Sequence, residues 1–584
     1  MDKESMSVRL RRLSNDTRFV FLACAVLGAV CFLCVYGVRV LNFKYTAWLM
    51  TGGDLTQHYT GWLFFRNSAW HFPIGLMDNI IYPLKVSIIF TDSIPLLAIP
   101  FKLLSPILPV NFQYFGLFGI LCFFLQGGVA GVLIKRLSKS FVYSVVGALF
   151  FILSSTMICG VFGQPSLSAH FIILLCIYVC VTKNDKPRTA RKNIAVWGGL
   201  LCLASMIHLY IVVMIIIFMV FYLLDDCIKT KKVVKPCLEA LACTVMLVFV
   251  MYVTGAFYGN ISPYGGGLGY YSANMLSLFN PAGTSAFLKN LPLATGGQYE
   301  GYGYLGLGII LGIVLVIAAG VKRFEEIKTL LRTRPGFIRT LVLAVLLLLA
   351  FFLLAFSPRV TFGSHTLFTL KLPMLINAAW GTFRATGRFI WVPAYLVMAS
   401  VIWAIRKEYK RAAVVILALL LVVQMVDMGG YINKISSRFT AQISLQTNFA
   451  SAAWDDIGSN FKHVEFLDPS LSVPFTSKEY SFAALAYEHH LTTNDYYLAR
   501  TPSKSIQHYK DLQLQNLRKG VVDPDTIYVF ARGQEANYLH SRKLNLFNID
   551  GVLIGLDSGF RFSDSHIQPL NRTNRVKILK GGEN

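Results

Sequence analysis

An acid and two arginines are the residues of this chain whose type and setting best suit chemistry. Asp54 lies in TGGDLTQHY, directly after two glycines that let the backbone approach a ligand closely. A half-buried aspartate in such a turn can take a proton from a sugar hydroxyl within hydrogen-bond reach. It can equally cap the helix expected to begin near Leu55, since aspartate is favoured at a helix N-cap. His58 and Tyr59, one turn further on, read as supports of that helix face. Arg384 and Arg388 lie four apart in GTFRATGRFIW, so on a helix they share a face and can point at one anion. Forked guanidinium groups suit phosphate oxygens. The competing reading is that both snorkel toward lipid headgroups at a helix end. Glu300, in QYEGYGYLGLG, can hold a sugar hydroxyl or stand as a solvated loop acid.

The elements that must position these residues follow from composition. Of 584 residues, 55% are hydrophobic and only 14% are charged, which is outside the range of soluble globular proteins and reads as an α-helical polytopic membrane protein. The net charge of +24 raises nucleic acid as a partner, and its distribution argues against one. Residues 1–429 carry 37 Lys and Arg against 15 acids, whereas residues 430–584 carry 17 against 15. The excess sits in short loops between apolar runs, as the positive-inside rule requires. The basic N-terminus and the loops Lys135–Lys139, Lys183–Lys192, Lys229–Lys235, Lys322–Arg339 and Arg406–Arg411 are therefore expected together on the cytoplasmic side.

Fitting spans between these anchors predicts eleven crossings, near 19–41, 112–134, 141–160, 168–181, 194–208, 209–224, 237–258, 303–321, 338–357, 389–405 and 411–428. The first has no small-residue cleavage site after it and reads as a retained helix. Segment 74–111 holds Pro95, Pro100 and Pro106, and is either an interfacial piece or a hairpin adding two crossings, which makes eleven to thirteen. All eleven cysteines lie between Cys24 and Cys243 without paired metal spacing or a disulfide framework.

This map puts 42–111, the Gly-rich loop 259–302 and everything after Gly429 on the outer face. Before the tail, the acids there are Asp54, Asp78, Asp92, Glu300 and Asp427. The aromatic run from Trp62 to Phe72, broken by Arg66 and His71, is expected to lie flat as an interfacial helix. The division expected is a membrane domain at 1–429 and a soluble extracytoplasmic domain at 430–584. In the latter, strand-like runs (His463–Leu467, Thr526–Phe530, Gly551–Leu556) and helix-like stretches (Lys478–Leu491, Lys504–Arg518) predict a mixed α/β fold. Gly301, Gly303 and Gly306 form a GxGxxG with no strand before it, so a dinucleotide site is rejected. No HExxH, Walker A or GxSxG motif is present, and no metal is expected.

Together, GGDLTQHY, YP…FTDSIPLL (Tyr82–Leu97), YYSANMLSLFNP (Tyr270–Pro281), QYEGYGYLG, FRATGRFIW and the outward α/β tail resemble the GT-C superfamily of polytopic membrane glycosyltransferases. The nearest likeness is to bacterial enzymes that decorate O-antigen or related surface polysaccharides. The resemblance implies inverting transfer of a hexose from a polyprenyl-phosphate donor, such as an undecaprenyl-phosphate sugar, with no cofactor. The acceptor would be a polysaccharide or lipid-linked oligosaccharide at the outer face of the bacterial cytoplasmic membrane. It implies Asp54 as catalytic base and Arg384 with Arg388 as holders of the donor phosphate. Many relatives carry paired acids in the first loop where this chain has one, so the division of work among Asp54, Asp92 and Glu300 stays open. His58, Tyr59, Arg66, His208 and Tyr210 are supporting residues. Two other functions remain in view: a flippase for lipid-linked sugars, for which His170 and His208 are the mid-span ionisable candidates, and a non-catalytic envelope-assembly protein using the tail to bind partners.

Overall fold

The computed structural model describes residues 15–158, 161–185, 188–259, 266–322, 335–440, 447–467, 477–531, 537 and 543–570. Residues 260–265 of the Gly-rich loop and most of the basic segment 322–339 lie outside them. In chain order the first half holds α1 (Thr17–Tyr36), α2 (Gly53–Asn67), β1 (Leu76–Ile81), β2 (Leu84–Ser87), α3 (Pro95–Leu103), α4 (Phe115–Ser138), α5 (Phe141–Ile152), α6 (Phe171–Val181), α7 (Ala190–Ser205), α8 (Leu209–Thr230) and α9 (Val234–Val253). Next come α10 (Leu307–Lys322), α11 (Pro335–Phe356), β3 (Arg359–Phe362), β4 (His365–Thr369), α12 (Met374–Gly381), α13 (Trp391–Tyr409) and α14 (Ala413–Thr440). The tail adds α15 (Ala453–Asn460), β5 (His463–Phe466), α16 (Ser477–Glu488), β6 (Thr492–Thr493), α17 (Ser503–Arg518), β7 (Thr526–Val529), β8 (Leu544–Ile549) and β9 (Val552–Asp557).

A helix stands at each of the eleven expected span positions, and among the described residues seven helices are long and apolar enough to cross a membrane. Phe141–Ile152, Pro165–Val181 and Leu307–Val321 are apolar but shorter. Between residues 74 and 111 the chain forms the β1–β2 hairpin and the nine-residue α3, which is too short to span, so no extra pair of crossings arises.

The chain divides into two units. The helical unit comprises Met1–Tyr45, Asn111–Val250 and Pro263–Ala441. Its helices pack through small residues, as lipid-embedded helices do where no hydrophobic drive separates protein from solvent. A Cβ on Gly28 of α1 would lie 2.1 Å from the Phe123 carbonyl oxygen of α4, and one on Gly127 would lie 2.1 Å from that of Cys24. Their outer faces are apolar stripes at helical spacing, such as Val415, Leu419, Val422 and Val426 on α14, all exposed. The basic loops meet at one end of this unit. Arg136 pairs with Asp185, Lys183 with Asp225 and Asp226, Arg339 with Asp225, and Arg406 donates to the Ser138 carbonyl.

The second unit comprises Thr46–Val110, Met251–Ser262 and Gln442–Asn584. The division expected at Gly429 thus runs differently. Helix α14 continues through Gly429 and Gly430 to Thr440, and the segment after the first span clusters with the tail. The tail sheet has the order β6-β5-β7-β9-β8, with β5 parallel to β6 and β7 and the last two strands antiparallel. All three expected strands and both expected helices are present within a few residues.

The reading of the aromatic run from Trp62 to Phe72 as a flat interfacial helix is overturned for Trp62, Phe64 and Phe65, which lie in α2, while Trp70 and Phe72 lie beyond its end and are exposed. Every residue from Leu55 to Phe65 is buried, the polar ones included. A helix buried on all faces must have its side-chain polar groups bonded within the protein. Gln57 donates to the Tyr497 carbonyl (2.9 Å), Thr60 meets the Tyr496 hydroxyl (2.6 Å), and that hydroxyl donates to the Gln57 carbonyl (2.8 Å). The α2 helix is therefore core to the unit that the tail completes. Arg66 at its end holds four carbonyls, of Ser105, Leu108, Pro109 and Val110.

A buried acid in the tail generates a pH prediction. Glu465 on β5 is 2% exposed, its Oε1 accepts from the Tyr509 hydroxyl and from Gln513, and its Oε2 has no partner among the described residues. Burial pushes its pKa up from 4.5 to about 7, the Tyr509 bond opposing and Asp523 adding to the rise. Between these two values the folded protein holds a proton that the unfolded chain has released. Stability from this group is therefore full below about pH 4.5 and is lost as pH rises through 7. Glu465→Gln should remove that slope and stabilise the protein at pH 8, on the order of 3 kcal/mol. Thermal unfolding of the full chain between pH 5 and 8 checks this; an unchanged slope in the variant would contradict it.

Candidate functional site

Three segments spread over more than a hundred residues of chain, from Tyr270 to Arg388, converge at the helix ends opposite the basic loops of the helical unit. These are YYSAN (Tyr270–Asn274), QYEGYG before α10, and FRATGR before α13. The first is anchored by Asn274, whose Nδ2 donates to the Gly363 carbonyl (2.8 Å), Gln298 Oε1 (3.2 Å) and Thr361 (3.2 Å). Gln298 in turn donates to Thr361 (2.7 Å), so the β3–β4 hairpin and both loops share one polar network.

The second segment is fixed from α14. Asp427, expected as an outward acid, is fully buried there, because it caps α10 from a neighbouring helix. Its Oδ2 accepts from the Leu307 N–H (3.2 Å) and the Tyr304 hydroxyl (2.8 Å), and Oδ1 accepts from Ser285. Gln424, one turn earlier, accepts from the Gly308 N–H (3.1 Å). Two of the orphan amides of α10 are thereby satisfied. The glycines once readable as a nucleotide fingerprint serve packing. A Cβ on Gly301 would lie 2.4 Å from Ala273 Cα, and one on Gly387 would lie 2.6 Å from the Gly301 backbone.

These contacts bring the expected site residues of this unit together. Arg388 grips Glu300 with two parallel bonds, Nε to Oε2 (2.8 Å) and Nη2 to Oε1 (2.9 Å), and Nη2 also donates to Gln164 Oε1 (3.0 Å). Both side chains are at most 15% exposed. The Arg388 guanidinium lies 4.9 Å from the Tyr210 ring centre, and that of Arg384 lies 4.4 Å from the Tyr271 ring centre. Arg384 also donates to the Tyr271 hydroxyl (2.6 Å). Both tyrosines hold the arginine segment through its backbone: Ala385 N–H donates to Tyr210 Oη (2.7 Å) and Gly387 N–H to the Tyr271 carbonyl (2.9 Å). His208 caps α8 by accepting the Tyr210 N–H at Nδ1 (3.2 Å), at the predicted turn between α7 and α8.

One expectation fails in detail. Arg384 and Arg388 do not share a helix face: Arg384 sits in the bend after α12, and Arg388 in the short 3-10 turn Thr386–Ile390 that leads into α13. Their common setting comes from two tyrosine faces instead of one helix. Tyr271 was visible as part of a motif. Gln164 carried no sequence signal, since it lies in a loop remote from every motif.

The remaining candidates belong to the other unit. Gly52 and Gly53 adopt left-handed φ values of 87° and 62°, which explains the two glycines ahead of Asp54. Thr56 fastens their turn by accepting the Gly52 N–H (2.9 Å) and donating to the Leu49 carbonyl (3.0 Å). Gly52 occupies the N-cap, so Asp54 is a half-buried first-turn acid at the positive end of α2 and not the cap. Asp92 ends the 3-10 turn Ile88–Thr91 with φ of 54°, and its neighbour Ser93 donates to the His58 carbonyl (2.7 Å). His58 and Tyr59 are buried in α2. Among the described residues no cluster of His, Cys, Asp and Glu could hold a metal ion.

Residues 25–429 match the family described as a domain of unknown function, DUF6311, and residues 453–557 match the DUF6311 C-terminal domain. The chain belongs to the DUF6311 family. No curated protein and no solved structure matches it.

The Arg388–Glu300 fork makes a stability prediction. Removing one partner of a buried ion pair costs about 3–5 kcal/mol, because the other charge is left uncompensated. Arg388→Ala should therefore lower the thermal stability of the purified protein markedly, and Arg388→Ala with Glu300→Gln should recover part of the loss. A double variant no more stable than the single one would show that the pair is not coupled.

Proposed function

We propose that this DUF6311 chain is an inverting glycosyltransferase of GT-C type, acting at the outer face of the bacterial cytoplasmic membrane. It moves a hexose from a polyprenyl-phosphate donor to a surface polysaccharide or lipid-linked acceptor. The observation that carries the reading is the partly buried cluster of two arginines, one carboxylate and two tyrosines at the helix ends away from the basic loops. Among the described residues two guanidiniums and one carboxylate stand at this partly buried site, where an anionic leaving group gains from fixed cations. In this reading Arg384 faces the donor phosphate from the Tyr271 surface. Arg388, aligned by Glu300 and Gln164, completes the positive field.

The chemistry needs few parts. The acceptor hydroxyl oxygen attacks the anomeric carbon while the bond from that carbon to the phosphate oxygen breaks. The polyprenyl phosphate leaves with the electron pair, and a carboxylate takes the acceptor proton. Asp54 is the carboxylate assigned to that proton. Glu300, with both oxygens taken up by Arg388, is assigned to positioning. Asp92 serves the turn that packs on α2 and is the alternative acid.

Incubating the purified protein with a polyprenyl-phosphate hexose and an envelope polysaccharide acceptor tests this directly. The wild type should release polyprenyl phosphate with acceptor-dependent sugar transfer, and Asp54→Asn should lower the rate by at least about a hundredfold with unchanged thermal stability. Near wild-type transfer by Asp54→Asn would remove Asp54 as base and move the assignment to Asp92.

A further inference from the structure

At the basic end of the helical unit, the start of α7, the link from α8 to α9 and the start of α9 line an open cavity of about 550 Å³. Its wall combines Lys231, Lys232 and Lys235 with Ile194, Val233, Val234 and Leu238. The one acid there, Glu239, is buried and accepts from Asn193 Nδ2 (2.9 Å), with Lys235 Nζ 3.9 Å away. Three lysines against one engaged carboxylate make the cavity a place for an anion. Below it, Leu238, Leu241, Val245 and Val248 run down α9 at helical spacing, and all four are exposed. The α9 helix is one of the seven long enough to span a membrane, so this stripe faces hydrocarbon.

An anion-binding rim joined to a lipid-facing apolar wall matches a molecule with an anionic head and acyl chains. We propose that this cavity binds the headgroup of an anionic phospholipid of the phosphatidylglycerol kind, with its chains lying along α9. Lys231 and Lys232 reach the phosphate from the link, Lys235 closes the site from the first turn of α9, and the apolar residues take the glycerol and upper chain. A free phosphate would use only half of the surface. A zwitterionic lipid would bring its own cation against the lysines.

The test uses the delipidated full chain in detergent, titrated with phosphatidylglycerol and with phosphatidylcholine of the same acyl chains and followed by native mass spectrometry. Phosphatidylglycerol should bind at least about tenfold more tightly. The variant carrying K231Q, K232Q and K235Q should lose that preference while keeping its weak affinity for phosphatidylcholine. Millimolar inorganic phosphate should not displace the lipid. Equal binding of the two lipids by the wild type, a preference retained in the triple variant, or full displacement by phosphate would each overturn the proposal. If the triple variant fails to fold, Lys232→Glu alone, on the exposed link, should still lower the preference severalfold, and an unchanged preference there would overturn it equally.

Discussion

A guanidinium and a carboxylate locked together inside an apolar helical unit set the terms for everything around them. Neither Arg388 nor Glu300 can be buried alone, since each ion loses several kilocalories of hydration that only a close, well-oriented partner returns. Around the fork the chain segments touch through glycine: a side chain at Gly387 would strike the Gly301 backbone, and one at Gly301 would strike Ala273. It requires Tyr210 and Tyr271 to carry the guanidiniums on their faces and the backbone amides on their polar atoms. The convergence of three distant loops is thus a condition of burying the charge.

The same accounting governs the rest of the chain. The α10 helix begins without a side-chain cap of its own and draws one from Asp427 and Gln424 on α14. In the other unit, α2 is buried on every face although it carries Thr56, Gln57, His58 and Thr60; the tail supplies a backbone carbonyl for Gln57 and a tyrosine hydroxyl for Thr60, and Thr56 bonds within the Leu49–Gly52 turn. Polar groups removed from water are satisfied across long sequence distances. The contacts that hold functional residues are therefore the ones least visible locally.

The apolar helices were legible because length and hydropathy are summed over about twenty residues, which no single tertiary contact can reverse. The meeting of the basic loops was legible for a related reason: charge at helix ends is a topological signal. The tail strands around Val464, Ile527 and Ile554 showed as short apolar β-branched runs, whereas the two-residue β6 was too short to see. The burial of α2 was not legible, because a helix with Trp62, Phe64 and Phe65 beside Arg66 has the composition of an interfacial helix. Its true partners, Tyr496 and Tyr497, lie more than four hundred residues away. The pairing of Arg384 with Arg388 on one face failed because the spacing rule assumes a helix and the chain bends at Arg384 before the 3-10 turn begins. Glu300 and Arg388 were each visible as candidates. Their bond was not, since nothing in either segment encodes the other.

The most direct measurement is a structure of the full chain in lipid nanodiscs with a polyprenyl-phosphate hexose bound. The account predicts phosphate density against the Arg384 guanidinium on the Tyr271 face, with the Arg388–Glu300 fork intact beside it. Phosphate density away from both arginines, with the cluster unchanged and empty of lipid, would contradict it.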